Sequence, residues 1–196
     1  MWCSKVAAVA LALLLSVTVG CRREVPPGPL PHLGRMPQFS LVDQDGHTYD
    51  LSKLRGESQL VSFMFTRCPS ICPRVTAKKK EILALVQAQG KRLHLLSISI
   101  DGENDTPPVL RAYAQKHGID LAAWSLLTGN ATEVAAHAEQ AFKIAVSGQA
   151  DASKPDFGLT HGSHLVLVDG AGDIRGYYAS MDAETPARLL ADLDRL

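Results

Sequence analysis

An apolar run at residues 60–66, Leu-Val-Ser-Phe-Met-Phe-Thr, leads almost directly into Cys68-Pro69-Ser70-Ile71-Cys72-Pro73. Seven such residues have the composition of a central strand buried on both faces. Beyond the cysteines, Val75, Ile82, Leu83, Leu85 and Val86 recur at helical spacing, and Gly90 is a stop signal. A helix starting near Cys68 places both thiols at i and i+4, on one face. Cα atoms that close suit a disulfide, and equally a metal ion held between two sulfurs. A helix N-terminus also favours thiolate over thiol. The pair therefore indicates redox chemistry, metal binding, or both. Structural cysteines act as small hydrophobes and need neither this spacing nor the flanking prolines.

The chain divides into three parts. Residues 1–20 form a signal peptide, with Lys5 in a short charged region, an apolar stretch at 6–15 and a small-residue end at Val19-Gly20. The apolar stretch is too short for a comfortable membrane span. Cys21 follows, and small residues before a cysteine resemble the lipobox of bacterial lipoproteins, although Thr18 stands where that pattern usually has Leu, Val or Ile. Lipidation at Cys21 is the expectation; ordinary signal cleavage and an uncleaved anchor are its rivals. Residues 21–35 then form a linker carrying Pro26, Pro27, Pro29 and Pro31, an extended spacer reaching roughly 40 Å. The third part, 36–196, is the folded domain. With Cys3 discarded and Cys21 acylated, Cys68 and Cys72 are the only free thiols. The expected location is exported and membrane-anchored, facing the periplasm, where a disulfide is permitted.

Formal charge is zero over 196 residues, and loss of a leader whose only charged side chain is Lys5 barely alters it. No basic or aromatic patch supports nucleic-acid binding. Lys78-Lys79-Lys80 reads as a solvated helix face.

Two short runs, 39–42 and 48–51, flank the turn signal Asp43-Gln44-Asp45-Gly46-His47. A second buried strand is expected at 93–100, followed by a helix that Asp105 or Thr106 caps, Pro107 opens and Gly118 closes. A strand at 124–127 precedes the capping box Asn130-Ala131-Thr132-Glu133 and a helix over 131–141. Residues 147–160 read as a loop, 165–168 and 174–178 as a hairpin, and Asp182 or Thr185 caps a last helix that runs to Leu196. Strands alternating with helices give an α/β fold: a mixed β-sheet with helices on both faces and an N-terminal β hairpin. The cysteine motif between strand and helix points to a thioredoxin-like arrangement with Cys68 at a strand's carboxyl end.

At this point the chain resembles the Sco/SenC family of copper-binding, thioredoxin-like proteins. Four motifs carry the resemblance in order: residues 39–46; Phe65-Thr66-Arg67-Cys68-Pro69 with Cys72-Pro73; Ser99-Ile100-Asp101 with Asp105-Thr106-Pro107; and Thr160-His161 followed by 165–172. The resemblance implies one copper ion bound through Cys68, Cys72 and His161. The family usually has Asp before that histidine, where this chain has Thr160. Gly102 and Asn104 stand where Pro and Arg are frequent, which reads as loop variation. Copper as Cu(I) or Cu(II) agrees with the donor set: soft thiolates select Cu(I), and imidazole suits both states.

The other histidines sort by position. His164 is the rival ligand, expected inside a strand and packed there. His47 sits in a turn, His94 in a strand, His117 and His137 in helices, and His32 in the solvated linker. Asp101 either bonds the ligand region or caps its own loop. The resemblance implies a copper metallochaperone, or thiol-linked assembly factor, that delivers copper to the dinuclear copper site of cytochrome c oxidase or reduces that site. The expected partner is the copper-bearing subunit or another copper-receiving protein. If the chain is an enzyme, it is a thiol–disulfide oxidoreductase in which Cys68 attacks and Cys72 resolves. Against that stand the three intervening residues, where thioredoxin-type enzymes have two, and the lack of proline in 159–168. A peroxiredoxin-type peroxidase normally has its resolving cysteine far away. A redox sensor is the remaining alternative.

Overall fold

The computed structural model describes residues 28–38, 40–49, 55–148, 151, 153–154 and 158–196. The expected signal peptide, Cys21, Phe39 and residues 50–51 of the second expected run lie outside the described residues.

Hydrophobic, β-branched runs form the centre of the molecule. β4 (Gln59–Met64) is buried along its whole length, and β5 (His94–Ser99) and β6 (Trp124–Gly129) along all but one residue each. The three are parallel neighbours, with Leu60 beside Leu95 and Leu96 beside Ser125. β4 also pairs antiparallel with β9 (His164–Val168), which pairs with β10 (Asp173–Ala179). At one edge β10 takes β1 (Gly34–Arg35). At the other, β6 takes the hairpin of β2 (Leu41–Asp43) and β3 (Thr48–Tyr49). The eight-stranded order is β1-β10-β9-β4-β5-β6-β2-β3.

Strand alternation fixes where the helices sit. Ser62 of β4 meets Lys79 of α1 (Ile71–Ala88), whereas its neighbour Phe63 stacks edge-on against Phe142, just beyond α3 (Ala131–Gln140). α1 and α3 therefore cover opposite faces. α2 (Pro107–His117) lies beside α1 through the bond between Thr76 and Tyr113, and α4 (Thr185–Leu193) also packs on α1. The thioredoxin-like mixed sheet, its N-terminal hairpin and its two helical layers match the expectation. Each fully buried Leu, Ile or Phe of this centre contributes about 1.5–3 kcal/mol.

Helix boundaries follow their signals in part. Asn130 accepts a hydrogen bond from the Glu133 N–H, the expected cap of α3. Gly118 closes α2 in the left-handed region, with φ 57°. Thr106 occupies the N-cap of α2 without a side-chain bond, and Asp105 turns elsewhere. Glu184 is the N-cap residue of α4, which stops at Leu193.

Four expectations are corrected. The boundary at Met36 falls inside the fold: Leu30 is buried, Leu33 N–H donates to the Ile174 carbonyl, and β1 is an edge strand. Residues 147–160 are not wholly loop. β7 (Val146–Gly148) pairs antiparallel with β8 (Leu159–His161), so His161 sits on a strand. α1 starts at Ile71, leaving Cys68 ahead of the helix. The lysine run is not one solvated face, because Lys79 is fully buried. Helical phase explains that: Lys79 follows Cys72, Val75 and Thr76 on the buried stripe of α1. Among the described residues no helix is long and apolar enough to cross a membrane.

Candidate metal centre

Cys68 is delivered by a tight turn at the carboxyl end of β4. The Cys68 N–H donates to the Phe65 carbonyl at 3.2 Å, so Thr66 and Arg67 are the turn's central residues. Both are gripped from the loop that follows β5. Asp105 accepts from the Thr66 N–H at 2.9 Å and the Thr66 hydroxyl at 2.5 Å, and Asp101 accepts from Arg67 at 2.7 Å. Asp101 is thus bonded to the thiol-bearing turn. The two departures in that loop also acquire a role. Asn104 donates to Asp101 at 2.7 Å, and a Cβ at Gly102 would overlap the Gly129 carbonyl.

Cys72 sits in the first turn of α1, and its N–H points at Cys68 Sγ, 3.4 Å away. Both cysteines are buried and free. A hydrogen bond from the Cys72 side chain, joined by backbone N–H groups of Cys72, Ser70 and Ile71, lowers the Cys68 pKa to about 5 against the opposing effect of burial. The shared proton and burial push Cys72 the other way. Cys68 is the thiolate and Cys72 the thiol, the asymmetry expected where one sulfur faces a helix N-terminus.

His161 comes from β8, which pairs with β7 and is fastened by the Gly162 N–H donating to the Ala145 carbonyl. Its Nδ1 lies 3.0 Å from the Gly162 carbonyl, and its Nε2 lies 3.3 Å from Cys72 Sγ. A carbonyl only accepts, so Nδ1 carries a proton, and in the neutral imidazole that tautomer leaves the Nε2 lone pair on the side of the sulfur. Phe65 meets the imidazole edge-on at 6.0 Å. Cys68, His161, Phe65 and Leu159 line one cavity of about 140 Å³ that opens at the sheet's end.

The three residues expected to form the site therefore converge. His164 does not pack as expected: it heads β9 and is exposed. The remaining histidines have other company. His94 bonds Ser125, His117 stacks on Tyr113, His32 lies 3.4 Å from Asp173, and His137 lies in the last turn of α3. His47 clusters with Asp43 and Asp45 in the β2–β3 turn, where Asp43 accepts from the N–H groups of Asp45 and His47 and Asp45 pairs with Arg111. That cluster maintains its own turn. Thr66, Ser99 and Asp105 escape a residue-by-residue search because their link is visible only once β4 and β5 are neighbours.

A thiolate, a thiol and an imidazole lone pair at the carboxyl end of a central strand define a thioredoxin-like protein whose dithiol can take a soft metal ion or undergo two-electron thiol chemistry. The chain belongs to the SCO1/SenC family, whose model matches residues 31–196. It is 28% identical over 156 residues to the SCO1 protein homolog of Bacillus subtilis, covering 79% of each chain. It is similar to the solved structure of BsSco, a member of the Sco family of cytochrome c oxidase assembly proteins with an identified disulfide switch. That likeness has a TM-score of 0.75 and 27% identity, and covers 86% of this chain and 97% of the other. The likeness to yeast Sco1 with copper bound has a TM-score of 0.68 and 25% identity, covering 84% and 90%.

Proposed function

We propose that this chain binds one copper ion through Cys68, Cys72 and His161 and serves cytochrome c oxidase assembly by passing that ion to the dinuclear copper site. The convergence of His161 Nε2 on the Cys68–Cys72 pair carries this reading. Two sulfurs and one nitrogen suit Cu(I) and leave a coordination position for a ligand of the receiving protein. Yeast Sco1 has been solved with copper bound, and BsSco is described as an assembly protein for the same oxidase. Export, lipidation at Cys21 and a periplasm-facing domain belong to the same proposal, supported by the leader sequence ahead of Cys21.

The thiolate at Cys68 supports a second reading, reduction of the recipient's cysteines. Cys68 would attack a partner disulfide and release one partner thiolate. Cys72 would then form the Cys68–Cys72 disulfide and release the other. Copper stoichiometry of the reduced protein lacking residues 1–21, with His161→Ala beside it, separates the two. One tightly held copper per chain, lost in the variant, supports the carrier. No tight copper with intact disulfide reduction supports the reductant.

A further inference from the structure

Thr66 and Arg67 occupy the centre of the turn that presents Cys68, yet neither is a residue that turns favour. The turn has no Gly, Pro, Asn or Asp at those positions to preset its backbone. Something outside it must hold its shape. Asp105 is fully buried and spends its carboxylate there: Oδ2 accepts from the Thr66 N–H at 2.9 Å and from Ser99 at 2.6 Å, while Oδ1 accepts from the Thr66 hydroxyl at 2.5 Å. Ser99 ends β5, the parallel neighbour of β4, so the carboxylate ties the turn to the central strand beside it. Burial raises the Asp105 pKa against these donors, and none of the three is a cation. A carboxylate kept in such surroundings indicates a geometric task beyond filling space.

We infer that Asp105 is a positioning residue for the copper site: through Thr66 it fixes the Phe65–Cys68 turn and thereby where the Cys68 sulfur stands relative to Cys72 and His161. This rests on the copper reading for its cargo, but the positioning itself is also visible in thiol chemistry. Partners that orient a ligand are typically worth about 10–100-fold in metal affinity.

The test compares Asp105→Ala, Asp105→Asn and Ser99→Ala with the wild type, using Cu(I) affinity by chelator competition, the Cys68–Cys72 reduction potential and thermal stability. Asp105→Ala should lower Cu(I) affinity about 10–100-fold and shift the potential. Asp105→Asn should restore both to near wild type, since its amide oxygen still accepts from the Thr66 N–H and Ser99 while its amide nitrogen faces the Thr66 hydroxyl. Ser99→Ala removes the carboxylate's bond to β5 and the acceptor of the Asp101 N–H but leaves both Thr66 bonds to Asp105, so it should lose stability and cost less affinity than Asp105→Ala. A folded Asp105→Ala with wild-type affinity and potential overturns the inference, as does an equal loss in Ser99→Ala. If Asp105→Ala does not fold, Thr66→Val, which deletes only the hydroxyl bond, decides: a fall of about threefold or more supports the role, and no change overturns it. A wild type that binds no copper sinks the carrier reading alone, and the potentials still judge Asp105.

Discussion

His161 Nε2 stands 3.3 Å from Cys72 Sγ, bridging β8 and the first turn of α1. The two residues are far apart in sequence, and the Gly162 carbonyl makes the contact specific by holding the proton on Nδ1. His161→Ala should therefore weaken Cu(I) binding by on the order of 100-fold or more, since even partners that merely orient a ligand are worth 10–100-fold. His164→Ala should leave affinity within about twofold, because His164 is exposed at the head of β9. Chelator competition on both variants checks this. The reverse ranking would remove His161 from the site.

The two thiols should differ sharply in reactivity. With the Cys68 pKa near 5, alkylation of the metal-free protein at Cys68 should rise with pH to a plateau above about pH 6, while Cys72 stays unreactive well past neutrality. The stability sign follows. A thiol whose folded pKa is depressed stabilises the fold fully above its unfolded pKa, and that contribution is lost as pH falls through about 5. Peptide mapping of iodoacetamide adducts between pH 4 and pH 9 measures the profile; equal labelling of both cysteines would contradict the asymmetry.

Much of this was legible in the sequence because its signals are local. The apolar run into β4, the Asn130 cap and the Gly118 stop each act within a few residues, and periodicity reveals them. The site was legible through the cysteine spacing and the family motifs. What escaped is non-local or conflicts with a local cue. β1 is two residues long within a proline-dense stretch, and its partner β10 lies some 140 residues downstream. β7 and β8 are three residues each in a polar segment whose pairing no hydrophobic pattern specifies. Asp105 before a helix reads as a cap, and only the adjacency of β4 and β5 turns it toward Thr66.

The N-terminal strap should matter to stability and not to the metal. Leu30 is buried, Arg175 donates to the carbonyls of Leu30 and Pro31, and Arg195 donates to that of Gly28. β1 joins the start of β10, in the row that runs through Val168 to Gln59, the end of β4 remote from Cys68. Leu30→Ala should destabilise by about 2–3 kcal/mol, the lower part of the range for buried leucines. A chain starting at Met36 should lose more, and both should bind copper normally once folded. Urea unfolding with parallel copper titration tests this; an unchanged midpoint in the truncated chain would make the strap peripheral.

Lys79 should make the stability of the fold depend on pH. Its Nζ is fully buried, within 2.9 Å of the Ser62 hydroxyl, the Leu96 carbonyl and the Ser97 hydroxyl and with the Trp124 ring 4.5 Å away; none of these carries a negative charge. Burial therefore drives its pKa well below the ordinary lysine value. Between that depressed value and about 10.4 the unfolded chain binds a proton that the folded one does not, so stability climbs as pH rises through this window. Lys79→Met keeps the length of the side chain and removes the titration, so its stability should be flatter over the same range. The difference between wild type and variant in urea unfolding from pH 6 to pH 10 isolates this effect from Cys68, which both proteins share. The variant's advantage should be largest at the acid end and shrink as pH rises. A constant difference would mean that Lys79 stays charged in the fold, held by its three acceptors and the indole.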